Sequence, residues 1–237
     1  MPTYSLRTHP RARHVRLRVE PCGSVVVTAP RGIGRDRIDR LVADRAGWIE
    51  QVRRRIAAER AQRDPAVCAR RPERIELPAV GETWPVRYRP GRQETASLRQ
   101  SQAGLVLTLP DREAHRVDDQ VAACLVRWLR ARARWALVPW VEALAVEHGI
   151  EYGRISIRNQ RSRWGSCSAV GNLSLNARLL LCSAETCRYV LIHELVHIEH
   201  PNHSPAFWRR VGELAPGYRS AMVELEQLSR RLPDWLG

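Results

Sequence analysis

The chain has 237 residues, 44% of them hydrophobic, which is enough for one large domain or two small ones with a substantial core. It lacks both a long apolar run that would span a membrane and the apolar core of a signal peptide, so we expect a cytoplasmic protein with no membrane partner. Its six cysteines form no Cys-x-x-Cys pair, which argues against a zinc knuckle or a disulfide framework.

The formal net charge is +14, and every one of the 39 basic residues is Arg. Residues 1–72 contain 17 Arg and 7 acidic residues, a balance of +10, whereas residues 73–237 contain 22 and 18, a balance of +4. We therefore predict a basic N-terminal unit at 1–72 and a second domain at 73–237, either separate or packed into one compact body. The basic unit is suited to nucleic acid or an acidic partner, but a solvated Arg-rich surface explains it more simply.

The first predicted elements are a β-hairpin and a helix. Residues 15–19 alternate Arg with apolar side chains, turn-forming residues follow, and the valines at 25–27 form the second strand. Over 35–60, apolar residues recur at helical spacing, which predicts one amphipathic helix with Trp48 near its apolar stripe. The stretch 63–72 has no periodicity and is the best candidate for a linker.

The rest of the chain mixes short strands with helices, so the predicted fold class is α+β. Short alternating segments separated by Gly and Pro predict a small antiparallel sheet over 75–109. A long helix is predicted over 118–147, ending at Gly149. Residues 155–158 and 173–176 are predicted to form a second hairpin, which leads into the last apolar helix.

That apolar helix carries the most informative motif, His-Glu-Leu-Val-His. Helix positions four apart share one face, so His193 and His197 can bind one metal ion, and Glu194 is placed to deprotonate a water that the metal activates. The flanking residues 189–198 are nearly all apolar, which predicts a buried helix, and Ser183 is its predicted N-cap. Two His and one Glu in a buried stripe need partners, and a metal ion supplies one.

Three residues compete for the third ligand position. On an unbroken helix His200 would lie too far along the axis to share one zinc ion with the first two ligands. Pro201 disfavours helical geometry at His200, and Asn202 tolerates the left-handed conformation that reverses a chain. Beyond that turn His203 can fold back to the metal, so we favour His203, with His200 as a supporting or solvated side chain. Glu213 is the other rival, because some zinc hydrolases use a distal carboxylate.

Other motifs surround this helix. They are Arg-Trp-Gly-Ser-Cys-Ser at 163–168, Gly-Asn-Leu-Ser-Leu-Asn at 171–176, Tyr-Val at 189–190, Asn-His-Ser at 202–204 and Phe-Trp at 207–208. Together with the helix motif they resemble the YgjP-like metallopeptidase domain family, which is related to the SprT and WLM groups of zincin-type peptidases. The resemblance is densest over 158–218, and weaker features extend it over most of the chain.

The resemblance implies a zincin-like fold, in which the active-site helix packs on a small antiparallel sheet. It implies that His193, His197 and His203 bind one zinc ion (Zn2+), or another divalent metal, and that Glu194 is the catalytic base. It also implies a peptide or protein substrate that pairs with a strand beside the helix, and we assign residues 173–176 to that role.

The predicted function is therefore a zinc-dependent metallohydrolase, a metallopeptidase that uses metal-activated water. Candidates for substrate or transition-state contacts are Arg158, Arg163 and Tyr218. One alternative is hydrolysis of a nucleotide phosphoanhydride, because Arg158, Arg161 and Arg163 lie near the expected cleft and guanidinium groups match phosphate oxygens. Another is a nucleic-acid-associated metalloprotease that binds nucleic acid through its basic N-terminal third.

Overall fold

The structure is a computed structural model that describes residues 3–9, 12–19, 23–61, 69–110 and 114–236. The chain forms two compact units, Met1–Cys68 and Ala69–Gly237. Most of the predicted linker at 63–72 lies outside the described residues, and the division into domains after residue 72 remains a prediction. No helix in the described ranges has the length and apolar character needed to cross a bilayer.

The first unit contains a three-stranded sheet and two helices. Its elements are β1 (Tyr4–Thr8), β2 (Arg16–Val19), β3 (Val25–Ala29), α1 (Arg35–Asp44) and α2 (Ala46–Ala61). The central strand β3 is antiparallel to β2, as predicted for the hairpin, and parallel to β1. Strand β1 was not predicted because its side chains are almost all exposed and therefore show no apolar alternation.

The single helix predicted over 35–60 is wrong, because two helices meet at Arg45. The backbone of Arg45 leaves helical geometry, with φ −99° and ψ 8°, although no Pro marks the break. Ile38, Val42 and Ile49 still pack together with the valines of β3 in the core of this unit. Trp48 lies beside that apolar stripe and is 42% exposed.

The second unit begins with a four-stranded sheet in the order β4-β5-β7-β6. Its strands are β4 (Arg74–Leu77), β5 (Glu82–Pro90), β6 (Ser97–Ser101) and β7 (Gly104–Leu109). The sheet is mixed rather than antiparallel, because β7 inserts between β6 and β5 and runs parallel to β5. The insertion requires glycine at position 104, where φ is +117° and an added Cβ would lie 2.4 Å from the carbonyl oxygen of Pro85.

Helix α3 (Ala114–His148) crosses this unit and supplies much of its core. Its fully buried apolar residues include Val121, Leu125, Leu129, Leu137 and Val141. The helix stops at Gly149, which has φ +65°, as its position after the last apolar residues predicted.

A second, three-stranded sheet contains β8 (Ile155–Arg158), β9 (Gly165–Cys167) and β10 (Leu173–Asn176), with β10 in the centre. The hairpin predicted from 155–158 and 173–176 is wrong, because β8 and β10 are parallel and β9 is the antiparallel partner of β10. Strand β9 has the sequence Gly-Ser-Cys, which contains none of the β-branched or aromatic residues that indicate a strand.

Three helices follow: α4 (Ala184–Glu199), α5 (Pro205–Leu214) and α6 (Tyr218–Arg230). Helix α4 carries the His-Glu-Leu-Val-His motif and contacts β9, α5 and α6. Its apolar residues Leu191, Ile192, Leu195 and Val196 are all fully buried. The predicted α+β class, with the motif helix packed against a small sheet, is confirmed, although that sheet is mixed.

Helix α6 is tied to the first turn of α4 through Glu224. Ser183 is the N-cap of α4, as predicted, and its hydroxyl accepts a hydrogen bond from the Thr186 backbone N–H at 3.2 Å. The Glu224 carboxylate accepts hydrogen bonds from the Ser183 N–H and hydroxyl, both at 2.7 Å, and from the Thr186 hydroxyl at 2.6 Å. Burial alone would raise the pKa of Glu224, but these hydrogen bonds outweigh it and lower the pKa.

We expect Glu224→Ala to destabilise the protein by about 2 kcal/mol, because it leaves several donors at the start of α4 without their charged acceptor. The measurement is the free energy of unfolding in urea at neutral pH. The control is Glu226→Ala on the same helix, which removes only an exposed pair with Arg230 and should cost less than about 0.5 kcal/mol. Equal losses in the two variants would contradict the role assigned to Glu224.

Candidate active site

Three histidines converge at the middle of the second unit. His193 and His197 lie one turn apart on α4, and His203 lies in the loop before α5. Their ligand nitrogens all lie within 4.8 Å of one another, and the Nε2 atoms of His193 and His203 are 3.2 Å apart. Two nitrogens in a tetrahedral zinc site, each about 2.0 to 2.1 Å from the ion, are about 3.3 Å apart. The spacing therefore fits a shared metal ion.

The loop that carries His203 begins where α4 ends. His200 leaves helical geometry with φ −130° and ψ 91°, as expected for a residue that precedes Pro201. The hydroxyl of Ser204 then caps α5 by accepting a hydrogen bond from the Phe207 backbone N–H at 3.4 Å. The left-handed conformation predicted for Asn202 is wrong, since no described residue other than glycine has a positive φ. The backbone is extended at His200 and Ser204, and within the loop the Ser204 N–H donates a hydrogen bond to the Asn202 carbonyl oxygen at 2.9 Å.

Two of the histidine rings have a partner on their second nitrogen. The Nδ1 atom of His197 lies 3.2 Å from the His200 carbonyl oxygen, which can only accept, so this nitrogen carries the proton and Nε2 keeps its lone pair. The Tyr189 hydroxyl lies 3.4 Å from Nδ1 of His193. Such outer partners orient metal-binding imidazoles. His200 thus supports the site through its backbone carbonyl.

Burial keeps the histidines on α4 neutral. It lowers the pKa of His193 to about 3, with further lowering by the neighbouring His197 and His203. Burial also lowers the pKa of His197, although its hydrogen bond to His200 acts in the opposite direction. Neutral imidazoles offer lone pairs at physiological pH, which is the state that metal binding requires.

Aromatic side chains pack against the rings of the histidine cluster. Phe207 is fully buried and stacks on His197, with ring centroids 4.6 Å apart. Trp208 stacks on His203 at 5.6 Å and on Tyr218 at 5.5 Å. These contacts limit the orientations of the rings and hold His203 close to α4.

Glu194 is only 5% exposed, and its Oε2 atom has no hydrogen-bond partner among the described residues. Burial raises the pKa of its carboxyl to about 7, although the nearby Arg163 acts to lower it. A buried carboxylate oxygen without a partner is costly in a purely structural role. Because it directly follows His193 on α4, Glu194 is a candidate for proton transfer beside the histidine cluster.

The rivals for the third ligand lie elsewhere. The Glu213 carboxylate forms an ion pair with Arg210 at 3.5 Å on α5, and it does not belong to the histidine cluster. The imidazole of His200 does not belong to it either.

The three predicted contact residues differ in their positions. Arg163 is exposed and precedes β9, near Glu194. Tyr218 is half-buried against Trp208 and Tyr189, both of which contact His193. Arg158 lies at the end of β8, on the far side of β10 from β9, so the structure does not bring it to the cluster.

The segment before β9 is held in place by a residue that motif reasoning did not single out. Asn176 is 2% exposed, and its side-chain amide donates hydrogen bonds to the carbonyl oxygens of Gln160 at 2.7 Å and Arg163 at 2.8 Å. Its backbone N–H also donates to the Trp164 carbonyl at 2.9 Å. The asparagine that ends the Leu-Ser-Leu-Asn run therefore fixes the Arg-rich turn and the start of β9.

The assignment of residues 173–176 as the substrate-pairing strand is wrong. Strand β10 is already hydrogen-bonded on both sides, to β8 and to β9. The sheet edge next to α4 is formed by β9, Gly165–Cys167, which leaves one side unpaired among the described strands.

Two metallopeptidase zymogens of known structure are similar to part of the chain. The zymogen of abylysin, a metallopeptidase from Pyrococcus abyssi, is 28% identical over 38% of this chain and 90% of its own, with a TM-score of 0.33. The zymogen of jannalysin, a metallopeptidase from Methanocaldococcus jannaschii, is 21% identical over 37% of this chain and 90% of its own, also with a TM-score of 0.33.

No curated protein matches the chain. The YgjP-like metallopeptidase domain matches it over residues 13–228. Because this match spans most of the chain, the protein belongs to the YgjP-like metallopeptidase domain family and is a metal-dependent hydrolase of the metallopeptidase type.

Proposed function

We propose that the protein is a zinc-dependent endopeptidase, in which His193, His197 and His203 bind the ion and Glu194 is the general base. The convergence of three imidazoles beside a buried, unpartnered carboxylate carries the proposal. Three histidine ligands are typical of catalytic zinc sites, which keep a further coordination position for water or substrate. Zinc is favoured over harder ions by the all-nitrogen ligand set.

Bound zinc supplies a Lewis acid that polarises the scissile carbonyl and lowers the pKa of water. The residues of the chain carry the proton transfers. Glu194 accepts a proton from the attacking water on its carboxylate and returns it to the leaving amine. Its Oε2 atom has no hydrogen-bond partner among the described residues, so it is available to take up that proton. Arg163 and Tyr218 are candidates for stabilising the negative charge that develops on the carbonyl oxygen.

We further propose that an extended peptide pairs with the free edge of β9. The Trp164 carbonyl oxygen accepts a hydrogen bond from the Asn176 N–H, and the Ser168 N–H donates one to the Asn172 carbonyl oxygen, so both groups face β10. Because hydrogen-bonding direction alternates along a strand, the N–H and C=O groups of Gly165 and Cys167 point away from β10. Those outward groups are available to a substrate backbone beside Glu194, which would orient the peptide along the cleft.

Loss of the proposed base should abolish turnover and leave the metal in place. We expect Glu194→Gln to lower kcat by about 10²-fold to 10⁴-fold while retaining one zinc per chain, and His197→Ala to lose the zinc as well. Hydrolysis is followed with a quenched-fluorescent peptide library, and zinc by atomic absorption. Glu199→Gln is the matched control, because Glu199 lies on the same helix and pairs with Arg210 on the surface. Unchanged turnover in Glu194→Gln would refute the assigned base.

The same variants distinguish the alternative reaction. Arg163 lies near Glu194, which makes a nucleotide phosphoanhydride the substrate to test beside peptides. Release of phosphate or pyrophosphate from nucleoside triphosphates, lost in His197→Ala and on chelation, without any peptide hydrolysis, would replace the endopeptidase proposal.

If the substrate pairs with β9, methylation of its backbone nitrogens should raise KM at every second residue. N-methylation of a cleaved peptide at successive positions should raise KM by about tenfold where the lost N–H faces β9, and by much less at the alternating positions. The measurement is KM for a series of singly methylated peptides. A uniform response along the series would contradict strand pairing.

The raised pKa of Glu194 also predicts how the stability of the metal-free protein depends on pH. Since the pKa rises from 4.5 to about 7 on folding, the folded state holds this proton more tightly. The protonated carboxyl contributes up to about 3 kcal/mol to the free energy of unfolding. This contribution is complete below pH 4.5, the pKa in the unfolded chain, and is lost as the pH rises through 7. In protein kept metal-free by a chelator, Glu194→Gln should therefore raise the free energy of unfolding at pH 8 and change it little near pH 4. The measurement is unfolding in urea at both pH values. The prediction fails if Glu194→Gln and Glu199→Gln respond identically at both pH values.

A further inference from the structure

At Gly165, strand β9 lies so close to helix α4 that no side chain would fit between them. A Cβ atom added to Gly165 would lie 2.4 Å from Oε1 of Glu194 and 2.7 Å from its Cγ and Cδ atoms. The backbone of Gly165 does not have a positive φ, so its conformation is open to other residues. The need for glycine at this position comes from the space that the Glu194 side chain occupies.

The strand cannot easily move away from the helix. Strand β9 is held by its pairing with Leu173 and Leu175 of β10, and by the hydrogen bond that the Asn176 backbone donates to the Trp164 carbonyl at 2.9 Å. Glu194 lies on a helix whose neighbouring residues are fully buried, and it is itself 5% exposed. A methyl group at position 165 would therefore displace the carboxylate rather than the strand.

We infer that Gly165 is a positioning residue for Glu194: the bare backbone of β9 forms one wall of the space that holds the carboxylate in its reactive orientation. This inference rests on the proposed role of Glu194 as base. It also gives a reason for glycine in the Arg-Trp-Gly-Ser-Cys motif, because a side chain at this position would occupy the space of the Glu194 carboxylate.

The catalytic test is Gly165→Ala in the zinc-loaded enzyme, with the best peptide from the quenched-fluorescent library as substrate. We expect kcat to fall by about 10²-fold, because a displacement of about 1 Å at a reacting group has an effect of that size. KM should stay within about twofold and the zinc content should remain one per chain. Loss of zinc, or a rise in KM with unchanged kcat, would overturn the inference.

The steric test needs neither metal nor substrate. In chelated protein, Gly165→Ala should lower Tm by roughly 3–8 °C, and the same substitution in a Glu194→Ala background should lower it by less than half as much. If Gly165→Ala does not fold, Gly165→Ala with Glu194→Ala should fold. An equal loss in both backgrounds, or failure of both variants to fold, would show that the methyl group does not act through Glu194.

Gly91→Ala is the matched control. A Cβ atom there would lie 2.4 Å from Cγ2 of Thr108, which is an equally short contact beside the four-stranded sheet and away from the histidine cluster. It should lower Tm without lowering kcat, and Glu194→Ala should not relieve it. If wild-type protein hydrolyses no peptide, the proposed function fails, whereas the Tm comparison still decides whether Gly165 and Glu194 are sterically coupled.

Discussion

The structure of the second unit depends on the burial of three polar side chains in one helix. Helix α4 is packed on several sides, and His193, Glu194 and His197 are placed among residues that water does not reach. Burial favours the neutral forms of the two imidazoles and raises the pKa of the carboxyl to about 7 without a metal. A bound divalent ion would offset that effect, because it interacts favourably with lone pairs and negative charge. The side chains buried on α4 are therefore suited to a bound cation.

Several elements next to α4 contribute specific contacts to that arrangement. Helix α6 anchors its first turn through Glu224, and α5 contributes Phe207 and Trp208, which pack against the histidine rings. The loop after α4 contributes a backbone carbonyl to His197, and β9 lies directly against Glu194. The orientation of the histidine rings and of Glu194 therefore depends on several parts of the chain, which agrees with a family match that extends well beyond the motif helix.

The sequence predicted the parts of the site that are local in the chain. Helical spacing places His193 and His197 on one face, Ser183 caps the helix, and Pro201 ends it before His203. The missed features depend on contacts between distant segments. Strand β9 has no intrinsic strand preference and forms because β10 and α4 lie beside it. A backbone carbonyl such as that of His200 carries no side-chain signal, and the mixed strand order arises from insertion of strands between earlier ones.

The three histidines differ in one respect that concerns the kinetics of the metal rather than its affinity. His193 and His197 are half-buried on a packed helix, whereas His203 is exposed and belongs to a loop. A ligand that solvent and chelators can reach is the one that detaches first, while the other two keep their geometry. At the proposed zinc site, the exchange rate of the ion would therefore depend on the short segment between α4 and α5. Changes there would alter how fast the metal leaves without rebuilding the half-site on the helix.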